Sequence, residues 1–287
     1  MWVYGVSGKN FHAGEVYSAE DLGKLVENFD WFWVDCADPS SRDVEAVSRL
    51  TGVDPKTFED LKSWKIFQRP RNFGGYTFIS ISYAAVQENG LRTYPIHIVV
   101  GRKMLLTMRS KESSALIEYV VQTLKESLPG DESLNPSFVL CELLRENTTR
   151  VLDVVLALRE AIEKLEEKAI AKPSKSMINE VFIFRKKIAA LYRLLWNQQQ
   201  IIGGLKNGLV SNVRLCERSI LGLEDAMNSI SRELEFLTSY DNSLDGVLRL
   251  QDLSMIHRVE RTLVYLTVIT VIMNLFLILL EMGIFKG

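Results

Sequence analysis

From Leu263 to Leu280 the chain carries no charged residue, and only Tyr265, Thr267, Thr270 and Asn274 interrupt an otherwise apolar run. A helix needs about 20 mostly apolar residues, with a range of roughly 17 to 25, to cross the hydrocarbon of a bilayer. The run is long enough for one span, so the rest of the chain must be organised around a membrane anchor near its C-terminal end. The alternative is a buried helix of a soluble core, which at this length usually shows a polar face. Arg258 and Arg261 precede the run and only Lys286 follows it. That excess of positive charge places the N-terminal bulk of the chain on the cytoplasmic side of a cell membrane.

The composition adds two exclusions. With a net charge of −2 there is no basic surplus to neutralise phosphates, so nucleic acid is not an expected partner. Cys36, Cys141 and Cys216 are odd in number and widely spaced, which reads as free thiols in a reducing compartment rather than a disulfide framework. The start of the chain has no basic region leading into an apolar stretch, and so no expected cleavable signal peptide.

All seven prolines lie at or before Pro173, which leaves the C-terminal part free to form long helices. Upstream, the β-rich runs Trp31–Asp35, Tyr76–Ile81 and Ile96–Val100 alternate with helical stretches opened by Ser18 and Ser41. The fold class is α+β, with an N-terminal α/β domain over 1–130. Leu140, Leu143, Leu144, Val151, Val154, Val155, Leu158, Ile162 and Leu165 recur at three- and four-residue steps, the pattern of one face of a long helix. Pro173 breaks it, and a second helix returns from about Lys175 to Leu205, making a helical hairpin over 131–210. Ser211 or Asn212 can cap a third helix, a stalk over 211–262 that continues without a stop signal into the transmembrane helix, 263–285. Such a helix, on the order of 100 Å long, cannot bury its apolar face alone and needs copies of itself or a partner.

Within the span, the polar side chains are not scattered. Glu260, Thr267, Asn274 and Glu281 recur every seven residues, and Thr270 lies close to the same line, giving a stripe about 80° wide. Polar groups in hydrocarbon face a bundle interior or water, so this face should associate. Two readings fit it. In one, the threonines and Asn274 only bond across a packed helix seam. In the other, copies arranged in a ring line a pore with Thr267, Thr270 and Asn274, with Glu281 at its mouth, oxygens suited to a hydrated hard cation.

Several short motifs then point to a family. They are Trp33-Val34-Asp35, Asp38-Pro39, Asp54-Pro55 through Asp60-Leu61, Gln68-Arg69-Pro70-Arg71 followed by Tyr76-Thr77-Phe78-Ile79, Arg185-Lys186-Lys187, Leu195-Trp196, and the approach to the membrane from His257 to Thr267. In order and architecture the chain resembles the CorA family of divalent-cation transporters. The resemblance implies a homopentameric funnel in membrane lipid, with Mg²⁺ as the usual cargo and Co²⁺ or Ni²⁺ sometimes carried. It also implies a regulatory Mg²⁺ site in which Glu59 and Asp60 approach an aspartate near the start of a neighbouring stalk; here Leu215 stands at that position, and Glu217 is its candidate substitute. The departures are equally specific. The family's Gly-Met-Asn filter is replaced by Glu281-Met282-Gly283, no second membrane helix follows, and Asn197 stands where the family often has proline. The alternative to a cation channel is therefore a non-conducting, membrane-anchored sensor or auxiliary subunit. His12, His97 and His257 are isolated, and no Walker loop, dinucleotide fingerprint or nucleophile elbow occurs, so no enzyme is expected.

Overall fold

The computed structural model describes residues 1–16, 18–54, 70–87, 90–128, 134–171, 173–174, 176–210 and 212–281. Glu59, Asp60, Gln68, Arg69 and Met282 onwards lie outside the described residues. Packing divides the chain into two compact units, Met1–Ala157 with Lys187–Leu237, and Leu158–Lys186 with Thr238–Gly287.

The first unit holds a seven-stranded sheet in the order β2-β1-β3-β7-β6-β5-β4. Its strands are β1 (Trp2–Ser7), β2 (Asn10–Glu15), β3 (Trp31–Ala37), β4 (Arg71–Phe73), β5 (Tyr76–Gln87), β6 (Gly90–Gly101) and β7 (Met104–Arg109). β3 and β7 run parallel, and the other neighbours are antiparallel. Alternation along β3 sorts its side chains by face. Val34 and Cys36 join the core formed with Leu22 and Val26 of α1 (Ala19–Val26) and Val44 and Val47 of α2 (Ser41–Thr51). Ser18 caps α1 as expected, and α2 starts with a Ser40–Asp43 capping box, one residue earlier than the sequence suggested. Pro95 sits in β6 but outside its pairing with β7, which begins at Ile96, so its missing N–H breaks no ladder bond there.

α3 (Ser114–Ser127) follows the sheet, preceded by a 3₁₀ turn at Lys111–Ser113. The long helices are α4 (Pro136–Ala171), α5 (Ser176–Lys206) and α6 (Glu217–Glu281). The break at Pro173 is where the sequence placed it. The start of the third helix is not. α6 begins at Glu217, because Asn212 is buried and its amide points to Gly74 O and Thr77 Oγ1, both at 3.5 Å, instead of capping a helix.

Helices meet the sheet through a polar seam. β4 covers only Tyr76 to Phe78 of β5, and among the described residues no strand pairs the edge beyond it. Asn197 Nδ2 donates to Ser80 O at 3.2 Å, and Asn147 Nδ2 donates to Ser82 O at 3.0 Å. The two amides satisfy edge carbonyls that would otherwise be buried unpaired. Asn147 also donates to Gln198 Oε1 at 2.9 Å, and Gln198 in turn donates to Leu144 O at 2.7 Å. Asn197, a departure from the family's frequent proline, has a defined structural use.

Candidate functional site

Along α6 the buried positions are Ser219, Leu223, Ala226, Ile230, Glu233, Leu237, Leu244, Val247 and Gln251. They follow alternating steps of four and three, the spacing of a coiled-coil seam, with the position at 240 only half-buried. Two of them are polar in a way that matters. Glu233 is 6% exposed, its Oε2 has no hydrogen-bond partner, and burial pushes its carboxyl above the ordinary carboxylate range. Gln251 is 3% exposed, with both amide atoms unpartnered.

Beyond Gln251 the seam stops. From Met255 to Ile278 every residue is exposed. The helix carries one stretch long and apolar enough to cross a membrane, with a mean hydropathy of 2.4 and none of it buried within the chain. A helix in the core of a soluble fold would be covered by its own chain, and this one is not.

The four residues expected to line a pore are all on this helix. Thr267 Oγ1 donates to Leu263 O and Thr270 Oγ1 to Leu266 O, each at 2.9 Å, so both hydroxyls keep their oxygen lone pairs outward. Asn274 is exposed, and its amide makes no bond within the chain among the described residues. Glu281 is the last helical residue. Glu260, at the start of the stripe, lies nine residues beyond Gln251, a turn of about 180° from the seam. Thr267, Asn274 and Glu281 follow at about 160°, 140° and 120° from Gln251 and Thr270 at about 100°, so the polar face points away from the buried one and can meet another molecule. His257 Nδ1 lies 3.1 Å from Glu260 Oε2, and Arg258 Nη2 donates to Pro173 O at 3.2 Å.

The expected regulatory metal site is not assembled by what is described. Glu217 is the exposed first residue of α6, Glu59 and Asp60 lie outside the described residues, and among the described residues no group of three or more His, Cys, Asp or Glu side chains could hold a metal ion.

Two ion-pair arrangements were not predicted from the sequence. Asp35 and Arg109, 2% and 5% exposed, pair on the parallel strands β3 and β7 with Nη2···Oδ2 at 2.7 Å. Thr107 Oγ1 donates to the same carboxylate at 2.6 Å and accepts from Trp33 Nε1 at 3.0 Å, so the buried charge is saturated. In the second unit Arg185 pairs with Asp241 at 3.2 Å and with Asp245. The spacing of the two aspartates, i and i+4 on α6, was visible in the sequence, but their partner on α5 was not.

The family described as CorA-like Mg²⁺ transporter protein matches residues 28–276. Among curated proteins, the cobalt/magnesium transport protein CorA of Methanocaldococcus jannaschii is 23% identical over 184 residues, covering 63% of this chain and 56% of that protein. The magnesium transporter ALR2 of Saccharomyces cerevisiae is 22% identical over 209 residues, covering 68% of this chain and 24% of its own. The chain thus spans between 22% and 56% of the length of the curated relatives it matches. The complete structure of the CorA magnesium transporter from M. jannaschii superposes with a TM-score of 0.77 at 17% identity, covering 94% of this chain and 81% of that one. The cytoplasmic domain of ZntB from Vibrio parahaemolyticus superposes with a TM-score of 0.67 at 14% identity, covering 90% of this chain and 98% of that one. The structures share the fold, and the sequence match runs from β3 through the rest of the sheet, the long helices and most of the apolar span: the chain belongs to the CorA-like Mg²⁺ transporter family.

Proposed function

We propose that copies of this chain assemble around the polar stripe of α6 and conduct a divalent cation, Mg²⁺ first and Co²⁺ or Ni²⁺ second, across the cell membrane, with the α/β unit in the cytoplasm. The observation that carries this reading is the placement of Thr267, Thr270 and Asn274 on one narrow face of a span that no described residue covers. Oxygens of hydroxyls and a carboxamide can replace or hold the outer water of a hard cation without the immobilising charge of a carboxylate ring. The five-fold ring implied by the family resemblance is the proposed arrangement, and the stalk, with eight acidic residues against four arginines between Asn212 and Ile256, would concentrate cations near it.

Mg²⁺ flux into proteoliposomes containing the purified chain tests this. Flux is expected in the wild type and lost in Asn274→Leu, with the oligomer size unchanged. A second reading is favoured by Glu281-Met282-Gly283 standing in place of the family's filter: a non-conducting sensor or auxiliary subunit. Absence of flux from a well-formed wild-type oligomer would decide for it.

A further inference from the structure

Two of the three cysteines lie in different segments of the same unit, and the structure brings them to one serine. Cys216 directly precedes α6, and its Sγ lies 3.1 Å from Ser219 Oγ in the helix's first turn. Cys141, in the second turn of α4, hydrogen-bonds through its thiol to the same Ser219 side chain. The two segments are aligned by contacts on either side of the sulfurs. Arg214 N donates to Ser137 Oγ at 3.0 Å, and the Arg218 guanidinium lies 5.5 Å from the centre of the Phe138 ring. Farther along, a methyl added to Gly222 would touch Arg145 Cδ at 3.6 Å. The start of α4 and the start of α6 therefore run side by side, with Cys141 and Cys216 facing a shared hydroxyl.

We infer that Cys141 and Cys216 form a reactive dithiol that closes to an intrachain disulfide when it meets an oxidised low-molecular-weight thiol such as glutathione disulfide. Cys216 is half-buried, whereas Cys141 is buried. The order of events follows from that difference in access. The Cys216 sulfur attacks one sulfur of the small disulfide, forming a mixed disulfide and expelling one thiol, which carries away the Cys216 proton. Cys141 then attacks the Cys216 sulfur, and the second small thiol leaves with the Cys141 proton. Two protein thiols are oxidised and one small disulfide is reduced to two thiols. Burial pushes the Cys141 thiol up to about 12, so solvent oxidants do not reach it first, and closure onto Cys216 is the slower of the two steps and speeds up as pH rises. Cys36, buried at 2% exposure in the core against α1 and α2, is the internal control.

The test uses the full chain in detergent, treated with glutathione disulfide, trapped with an alkylating agent and mapped by peptide mass. Alkylation should be lost at Cys141 and Cys216 together, a linked peptide pair should appear, and Cys36 should react only after denaturation. Cys216→Ser should abolish oxidation, and Cys141→Ser should stop it at a glutathione adduct on Cys216. A wild-type chain that accumulates only that adduct, couples to Cys36, or links to a second chain overturns the inference. If Cys141→Ser does not fold, the wild-type peptide map still decides among these outcomes.

Discussion

His97 was expected to be a packed strand residue, and its alternative as a metal ligand had no second ligand nearby in sequence. It lies in β6 at 1% exposure, with Nδ1 3.0 Å from Ser80 Oγ. Burial pushes its imidazole from 6.5 down to about 4. The unfolded chain therefore binds the proton more readily throughout that window, and stability rises with pH across it. The contribution is intact above pH 6.5, declines as pH falls toward 4 and is then constant, about 3 kcal/mol in all. Denaturation of the full chain in detergent at several pH values, wild type against His97→Asn, should show the gap between the two shrinking as the pH is lowered through this window. A gap independent of pH would mean that the imidazole is not neutral in the fold. At this scale the sequence was most informative where one residue type had one plausible use, as with His97 and Ser18. It was silent on Asp35 and Arg109, because 74 residues separate them and only the parallel pairing of β3 with β7 puts them side by side.

The long helices were legible because apolar spacing and proline placement are local properties. Their ends were less so. Asn212 has the chemistry of a cap, but the Gly74 carbonyl in the turn between β4 and β5 and the Thr77 hydroxyl, both at 3.5 Å, take its amide, and α6 starts at Glu217. The seam of α6 was hidden by Glu233 and Gln251, which read as surface residues in a charged stalk until burial placed them in line with Leu237, Leu244 and Val247. Because burial raises the Glu233 carboxyl, the fold favours its neutral form. Its contribution is whole below the unfolded value and lost as pH rises through the folded one. Arg232, more than half exposed, stands 3.6 Å from its Oε1 and offsets only part of the cost of burial, so at neutral pH Glu233→Leu should stabilise the chain by about 1–3 kcal/mol. Leu244→Ala, on the same seam, should cost about 2–5 kcal/mol through the cavity it leaves. Thermal unfolding in detergent reads both, and a destabilised Glu233→Leu would show that the carboxylate has a partner that matters.

On the scale of the molecule, the sequence could identify a span and a stripe but could not say which face of the stalk was already occupied. The structure supplies that from burial: Gln251 is covered, whereas Leu253 is 53% exposed and Glu260 stands opposite the seam. Assembly around the stripe therefore predicts that, in a chain with its native cysteines replaced by serine, Leu253→Cys cross-links copies on oxidation and Val247→Cys does not. Gel mobility without reductant reads the difference, and efficient cross-linking at both positions would argue against a defined axis. The regulatory metal site that the resemblance implies is not tested by the structure, since Glu59 and Asp60 lie outside the described residues.

α6 runs without interruption from Glu217 to Glu281, so the seam in water and the stripe in the bilayer share one angular count. What links the two ends is phase, not length. Three residues inserted after Asp252 would turn the threonines and Asn274 by about 60° toward lipid, and one by about 100°, whereas seven would lengthen the rod by about 10 Å and leave them within 20° of their original bearing. Proteoliposome flux that survives the seven-residue insertion and fails with the shorter ones would mark α6 as a shaft whose rotational setting, carried intact from one solvent into another, decides what the membrane end presents.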